Sequence, residues 1–456
     1  MMRFALRWLL PFVLGGIGGC QPSDSPFSVN NYRLSQNAAA IMPNPHSIEG
    51  YADAVTVFPG STIEFKVHAP NNHFSIDFSR YGSLGSPELV LTVSDLPGSA
   101  QDYPEDAYKN GAQWCTSYSF EVPWEWPSGL YNARLYDGTA SFNLLFVVRS
   151  PPGCEARIAL LSSTNTWQAY NDWGGASFYR CGIPVCSGGT YSTLVSLDRP
   201  NPVASSAMHL AAGERFILGW LENNYYPYSM LTDSDLHGDP SALQPFSTVI
   251  VNTHSEYWSK EMYDALQAFH DGGGNILYLS GNGIYWKVTL QGRQMEVRKD
   301  SGIHEQTGER GGLWRALGRP EAALLGVRYD GRHYPNCGPY VVRPGFASHW
   351  IFAGTGLQDG DAFGASGLNR ATCASGAASG WEMDGVDPTF RPPSLQLIAE
   401  GVVDGGAGAD MTYYETSDQP PYGGVFSVGS ITFGGSLAID PNLSQIIANV
   451  LVHYGN

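Results

Sequence analysis

The stretch from Val249 to Trp286, VIVNTHSEYWSKEMYDALQAFHDGGGNILYLSGNGIYW, constrains this chain more than any other. An apolar, β-branched run, Thr248 to Val251, stops just before His254 and Glu256. Ser259 is placed to cap a helix whose apolar residues Met262, Ala265, Leu266 and Phe269 recur at three- and four-residue spacing. Gly272, Gly273 and Gly274 end that helix, because glycine accepts the left-handed turn found at helix ends. A second apolar run, Ile276 to Leu279, then stops at Gly281-Asn282-Gly283. The pattern predicts a βαβ unit with polar residues at the carboxyl ends of both strands, the edge at which open α/β sheets bind ligands.

With 456 residues the chain is long enough for two or three domains with full cores. Its formal net charge of −17, with no basic run, argues against nucleic acid and anionic membrane surfaces as partners, since phosphate binding needs clustered Lys and Arg. Residues 1–20 read as an export signal: Arg3 and Arg7 precede the apolar run Trp8 to Leu14, and small residues lead to Cys20. Ile17-Gly18-Gly19-Cys20 resembles a bacterial lipobox, so Cys20 is expected to carry a lipid, with the outer membrane, facing the periplasm or cell surface, as the destination. A plain signal peptide with a coincidental cysteine is the alternative. The apolar run is shorter than the ~20 residues a spanning helix needs. Six further cysteines, Cys115, Cys154, Cys181, Cys186, Cys337 and Cys373, are expected to form disulfides in an exported chain. Cys181 and Cys186 look like a locally closed loop.

Residues 21–50 are polar, rich in Pro, Asn and Ser, and aperiodic, as in a tether. From 51 to 150, short alternating runs separated by turn residues, with Asp137-Gly138 as a hairpin signal, predict an antiparallel β-sandwich. Beyond Arg149-Ser-Pro-Pro-Gly153 the period changes. Residues 151–456 read as an α/β domain with a mostly parallel sheet. Its expected parts are a strand at Ala156–Leu161, a long polar loop from Ser162 to about Pro200, a helix from about Ala212 to Asn223, a strand pair within Gly423–Phe433 and a closing helix at Pro441–Tyr454. No dinucleotide or phosphate-loop glycine pattern follows any strand, which leaves a nucleotide cofactor unsupported.

Polar side chains collect at strand ends three times: in Thr166-Trp-Gln-Ala-Tyr170-Asn, in Thr253-His-Ser-Glu256-Tyr and in Ser280-Gly-Asn282-Gly. If those strands are neighbours, Tyr170, His254, Glu256 and Asn282 share one cleft. Each has a plainer explanation: Tyr170 packs a loop, His254 and Glu256 cap a helix, and Asn282 is a turn residue. No Gly-x-Ser-x-Gly elbow is present, and no cysteine stands beside a histidine at such a strand end, so nucleophilic catalysis lacks support.

Three blocks carry a family likeness. Thr232-Asp-Ser-Asp-Leu-His237, Val251-Asn-Thr-His-Ser-Glu-Tyr-Trp-Ser259 and Tyr278-Leu-Ser-Gly-Asn-Gly-Ile-Tyr-Trp286 resemble the large (β) subunit of N,N-dimethylformamidase. Ser128-Gly-Leu-Tyr131-Asn-Ala-Arg-Leu135 resembles the segment just before that family's catalytic domain, and Phe74–Gly82 resembles part of its β-domain. The likeness spans most of residues 60–400. It implies a class I glutamine amidotransferase-like or flavodoxin-like fold for the second domain. It also implies a mononuclear ferric iron held by Tyr131, Tyr170 and Glu256, with His254 and Asn282 adjoining. The same resemblance implies a place beside the substrate for Glu382, in Ser379-Gly-Trp-Glu-Met-Asp384. Phenolate and carboxylate are hard anionic donors, suited to a hard trivalent ion. The implied activity is metal-assisted hydrolysis of a small amide or related C–N bond, with Asn282 or His254 facing the developing oxyanion and Glu382 relaying the proton. A small subunit or a second copy of the chain is the implied protein partner. On alternation alone, Tyr131, Ala133 and Leu135 read equally well as sandwich core. The competing readings are a surface carbohydrate-binding lipoprotein, suggested by 12 Trp and 25 Tyr, and a member of the family that keeps the fold without turnover.

Overall fold

The computed structural model describes residues 40–85, 87–182 and 191–455. The signal segment, Cys20 and Cys186 lie outside the described residues.

The alternating runs near the N-terminus form two antiparallel-rich sheets packed face to face. One has five strands, in the order Thr56–Val57, Ser141–Val148, Gly129–Tyr136, His73–Tyr81 and Glu88–Pro97. The other has three, Glu49–Ala52, Thr62–His68 and Tyr118–Glu121. Alternation explains the packing: Phe74, Ile76 and Phe78 point inward from one strand and meet Ile63, Phe65 and Val67 from the facing sheet. At the Ser141 hairpin, the Asp137 carboxylate accepts from the backbone N–H groups of Thr139 and Ala140, which closes the turn.

A nine-stranded sheet organises the rest of the chain. Its order is Tyr228–Thr232, Ile158–Ser162, Thr248–Thr253, Asn275–Ser280, Val425–Ser427, Gly406–Tyr414, Gln396–Val403, Tyr340–Val342 and Ala362–Phe363. The first five run parallel, and every pairing from Val425–Ser427 onward is antiparallel. The mostly parallel, flavodoxin-like or glutamine amidotransferase-like α/β domain expected from the sequence is therefore corrected: the sheet is mixed, and smaller mixed and antiparallel sheets surround it. The reason is local. Gln396–Val403 and Gly406–Tyr414 are joined through Asp404-Gly405 alone, and a two-residue turn makes a hairpin, whereas a parallel pair needs a crossover of a dozen residues or more.

The βαβ unit read from the sequence is present. Thr248–Thr253 and Asn275–Ser280 are parallel neighbours, and between them lies the helix Lys260–Asp271. Ser259 Oγ accepts the Met262 N–H at 3.3 Å, and Met262, Ala265 and Leu266 are buried against the sheet. Gly273, at φ +91°, supplies the left-handed turn. Two expectations differ. The polar stretch after Ser162 contains the helix Thr164–Tyr170, and Gly423–Phe433 contributes one strand, Val425–Ser427, before the short helix Phe433–Leu437.

Cys337 and Cys373 form a disulfide, and Cys115 and Cys181 are also disulfide-bonded. Cys154 is free and exposed, which corrects the expectation that all six cysteines are paired. Among the described residues no helix is long and apolar enough to cross a membrane.

Candidate functional site

The carboxyl ends of Ile158–Ser162, Thr248–Thr253 and Asn275–Ser280 lie side by side, so the segments that follow them meet. The first leads into the helix Thr164–Tyr170. Its start is fixed by two buried carboxylates: Glu214 Oε1 accepts from Ser163 N–H at 3.0 Å and from Trp167 Nε1 at 2.8 Å, and Asp233 Oδ2 accepts from Asn165 N–H at 2.8 Å. Tyr170 ends this helix. The second strand leads into His254 and Glu256, which are 1% and 3% exposed. Thr166 Oγ1 accepts the Glu256 backbone N–H at 3.0 Å, tying the two segments together. The third leads into Asn282.

Strain marks the same edge. Thr253, Asn282, Ile284 and Trp381 all have positive φ, between 49° and 71°. None is glycine, and such backbone costs on the order of 1–3 kcal/mol per residue unless its surroundings enforce it.

At the centre, the Glu256 carboxylate collects hydroxyls. Tyr179 Oη lies 2.7 and 2.6 Å from its two oxygens, Tyr170 Oη lies 3.3 Å from Oε2, and the two tyrosine rings stack at 4.1 Å. Tyr257 donates to Tyr179 Oη at 2.8 Å. Burial, and then the charge of Glu256, push both Tyr170 and Tyr179 well above the ordinary phenol value. His254 Nδ1 faces the Gly281 carbonyl at 3.0 Å, so that nitrogen carries a proton, and Nε2 faces Glu256 Oε2 at 3.2 Å and Glu382 Oε2 at 3.6 Å. Burial opposes charge on His254, but the hydrogen bond to Glu256 and the field of Glu382 outweigh it and raise its pKa to about 9. Burial also works against charge on Glu256, yet the His254 hydrogen bond and charge hold its pKa below the usual value. Glu382 goes the other way: burial raises it, against the pull of His254. Asn282 Nδ2 donates to Glu382 Oε2 at 2.8 Å, and the Asn282 backbone N–H donates to Asp384 Oδ1 at 2.8 Å.

Of the residues singled out in the sequence, Tyr170, His254, Glu256, Asn282 and Glu382 come together. Tyr131 does not join them. It sits in the sandwich core on Gly129–Tyr136, stacked on Trp126 at 4.7 Å, and its hydroxyl donates to the Pro127 carbonyl at 2.9 Å. The second tyrosine at Glu256 is Tyr179. No periodic signal marks it, because it lies in irregular chain between two short elements. Lys299 was also missed: its ammonium lies 3.8 Å over the Tyr179 ring and donates to the Phe178 carbonyl at 3.0 Å. Burial lowers its pKa to about 8, against the pull of Glu256 and Glu382. His209 and Trp381 complete one wall, with ring centroids 4.8 Å apart and His209 4.5 Å from Tyr170.

Among the described residues, no group of three or more His, Cys, Asp or Glu is arranged to hold a metal ion by itself. Two phenol oxygens around one carboxylate are a different kind of donor set, hard and all-oxygen, and that chemistry fits a hard trivalent cation.

Residues 76–446 match the family model for the C-terminal part of proteins like the N,N-dimethylformamidase beta subunit. The N,N-dimethylformamidase beta subunit of Paracoccus aminophilus is 28% identical over 283 residues, which cover 52% of this chain and 36% of that protein. The beta subunit from an Alcaligenes species is 28% identical over 280 residues, covering 52% and 35%. The chain thus spans little more than a third of the length of these curated relatives. A solved structure of the mmIFT52 N-terminal domain aligns with a TM-score of 0.33 and 13% identity over 53% of this chain and 90% of that one, too distant to bear on the fold. The match over 76–446 covers most of the chain and contains Tyr170, Tyr179, His254, Glu256, Asn282 and Glu382, and on that evidence the protein belongs to the family of N,N-dimethylformamidase beta subunit-like proteins.

Proposed function

We propose that the chain is an iron-dependent hydrolase of small amides. The observation that carries this reading is the convergence of the Tyr170 and Tyr179 hydroxyls on the Glu256 carboxylate inside a buried strand edge. In the proposal, Tyr170, Tyr179 and Glu256 hold one ferric ion. When bound, such an ion supplies Lewis acidity toward a carbonyl oxygen and draws the phenols toward phenolate.

The protein's own residues do the rest. His254, fixed through Nδ1 on Gly281, turns Nε2 toward the oxygen that gains charge as the carbonyl is attacked. Asn282 Nδ2 donates to Glu382 Oε2 and so orients the Glu382 carboxyl. Glu382, raised by burial and 3.6 Å from His254 Nε2, takes the proton from the attacking water and returns it to the departing amine nitrogen.

Export to an oxidising compartment, with a lipid on Cys20, is part of the same proposal, and the Cys337–Cys373 disulfide supports it. The relatives are named as beta subunits, which supports a further subunit or a second copy as partner.

The test is elemental analysis with a visible spectrum of the purified protein and of Tyr170→Phe. The reading expects about one iron per chain and a phenolate-to-iron band that weakens in the variant. A protein that stays colourless and iron-free after iron is supplied overturns it.

A further inference from the structure

Among the described residues, His209 has a buried ring in the site that no group satisfies. Both of its nitrogens, Nδ1 and Nε2, are buried and lack a hydrogen-bond partner. The ring is held edge-on to Tyr170 at 4.5 Å, against Trp381 at 4.8 Å and 5.9 Å from His254. Its place in the backbone is set by close packing. A Cβ at Gly213 would stand 2.1 Å from the Met208 carbonyl oxygen, so only glycine lets the first turn of the helix Ala211–Asn223 lie against this segment. Asn369 Nδ2 donates to that same carbonyl at 3.0 Å and pins it. The imidazole is therefore an anchored group with nothing to bond.

A second orphan lies nearby. Asn282 Oδ1 is buried without a partner, while its Nδ2 is engaged by Glu382, which in turn reaches His254. A neutral imidazole offers one donor and one acceptor, and an amide oxygen offers only an acceptor. His209 and Asn282, packed among Tyr170, His254 and Trp381, thus hold two acceptors and one donor without partners among the described residues. A ligand that matches them brings N–H groups together with a carbonyl oxygen.

From His209 and Asn282 we propose that the site is built for amides that carry N–H, primary or mono-substituted, with His209 as a residue that recognises them. The inference rests on the amide-hydrolase reading of the same site. An N,N-dialkyl amide has no N–H to give, so it leaves the buried acceptors bare. Leaving a buried polar group unpaired weakens binding by about ten- to hundredfold. His209 acts here through binding, and its role is one of specificity.

The experiment measures binding and turnover separately. Ligand-observed NMR titrations of acetamide, N-methylacetamide and N,N-dimethylacetamide would be run on the wild-type protein, His209→Phe and His209→Gln, each checked for native circular dichroism. The proposal expects the wild type to bind the two N–H amides about ten- to hundredfold more tightly than the dialkyl amide. His209→Phe should lose most of that preference, and His209→Gln, which keeps a donor and an acceptor, should retain part of it. A wild type that binds all three alike overturns the proposal, as does one that binds none. A preference that survives intact in His209→Phe overturns it too. Hydrolysis of the same amides is followed in parallel. Amides bound with the expected preference but never cleaved, in an iron-free protein, would sink the hydrolase reading and leave the recognition intact, whereas cleavage without preference would do the reverse.

Discussion

Tyr131 and Tyr179 are both tyrosines packed among aromatic rings, and they do opposite things. Tyr131 stacks between Trp126 and Phe146 and gives its hydroxyl to a backbone carbonyl, which satisfies it completely for a structural role. Tyr179 stacks on Tyr170 and gives its hydroxyl to a carboxylate that already faces two other polar groups. A carbonyl partner can only accept, so it fixes the phenol as a donor. A carboxylate partner leaves an anionic oxygen cluster that a cation can enter. What the comparison teaches is that ring burial says little about function, and the partner of the hydroxyl says much.

Swapping the hydroxyls is the sharpest way to break that comparison. On the proposed iron-hydrolase reading, Tyr179→Phe should lose the iron and with it amide hydrolysis, by about a hundredfold or more. Tyr131→Phe should keep both, and lose only about 0.5–1.5 kcal/mol of stability for the bond to Pro127. Iron per chain and initial rates on both variants decide it. Iron retained in Tyr179→Phe and lost in Tyr131→Phe would return the second ligand to the position that the family resemblance implied. Removing the ring instead of the hydroxyl sharpens the other side. Tyr131 is fully buried, so Tyr131→Ala should cost about 3–5 kcal/mol in a urea melt, with iron unchanged in the molecules that fold.

The sequence marks some parts of the fold and the site plainly and leaves others unmarked. The βαβ unit, the Asp137-Gly138 hairpin and the helix from Pro441 were legible because apolar periodicity and punctuation agree there. His254, Glu256 and Asn282 were legible because each follows such a strand. The helix Thr164–Tyr170 was not. Its residues Thr164, Asn165 and Thr166 are polar yet buried, since their partners are groups on distant segments, Asp233 and Glu256 among them. Tyr179 and Lys299 sit in irregular chain, where no period exists to place them. The antiparallel half of the large sheet was missed for a similar reason: Gly406–Tyr414 opens GAGAD, which lacks the β-branched residues that announce a strand.

The helix that carries Tyr170 offers a third contrast, through pH. Glu214 holds its first turn from a fully buried position, and burial raises the Glu214 carboxyl to about 7 despite the donors around it. The folded protein therefore binds this proton more tightly than the unfolded chain. Stability from Glu214 is fully present below about pH 4.5, falls as pH rises to about 7, and is level above that. The fall amounts to about 3 kcal/mol. Glu214→Gln cannot ionise, so the difference in stability between it and the wild type should change across that window and be constant outside it. Chemical melts of both proteins at pH 4, 6 and 8 measure this directly. A difference independent of pH would show that Glu214 titrates alike in the folded and unfolded states, so that burial does not raise it.

The smallest effect concerns a tyrosine with neither kind of partner. Tyr225 follows the helix Ala211–Asn223 and its cap Asn224, at the position where a left-handed residue usually ends a helix. Its φ is +59° and its ring is 91% exposed. The backbone bears the strain of a side chain there, and the ring gains almost no burial in return. Tyr225→Gly removes that strain and should raise stability by about 1 kcal/mol, with iron content and amide turnover unchanged. The same substitution at Asn282, also left-handed at φ +51°, relieves similar strain but removes the amide that orients Glu382, so it should lower turnover even where stability rises. Thermal melts and rates on the two glycine variants test this together. If Asn282→Gly leaves turnover unchanged, the strain at the strand edge belongs to the fold alone, as it does at Tyr225.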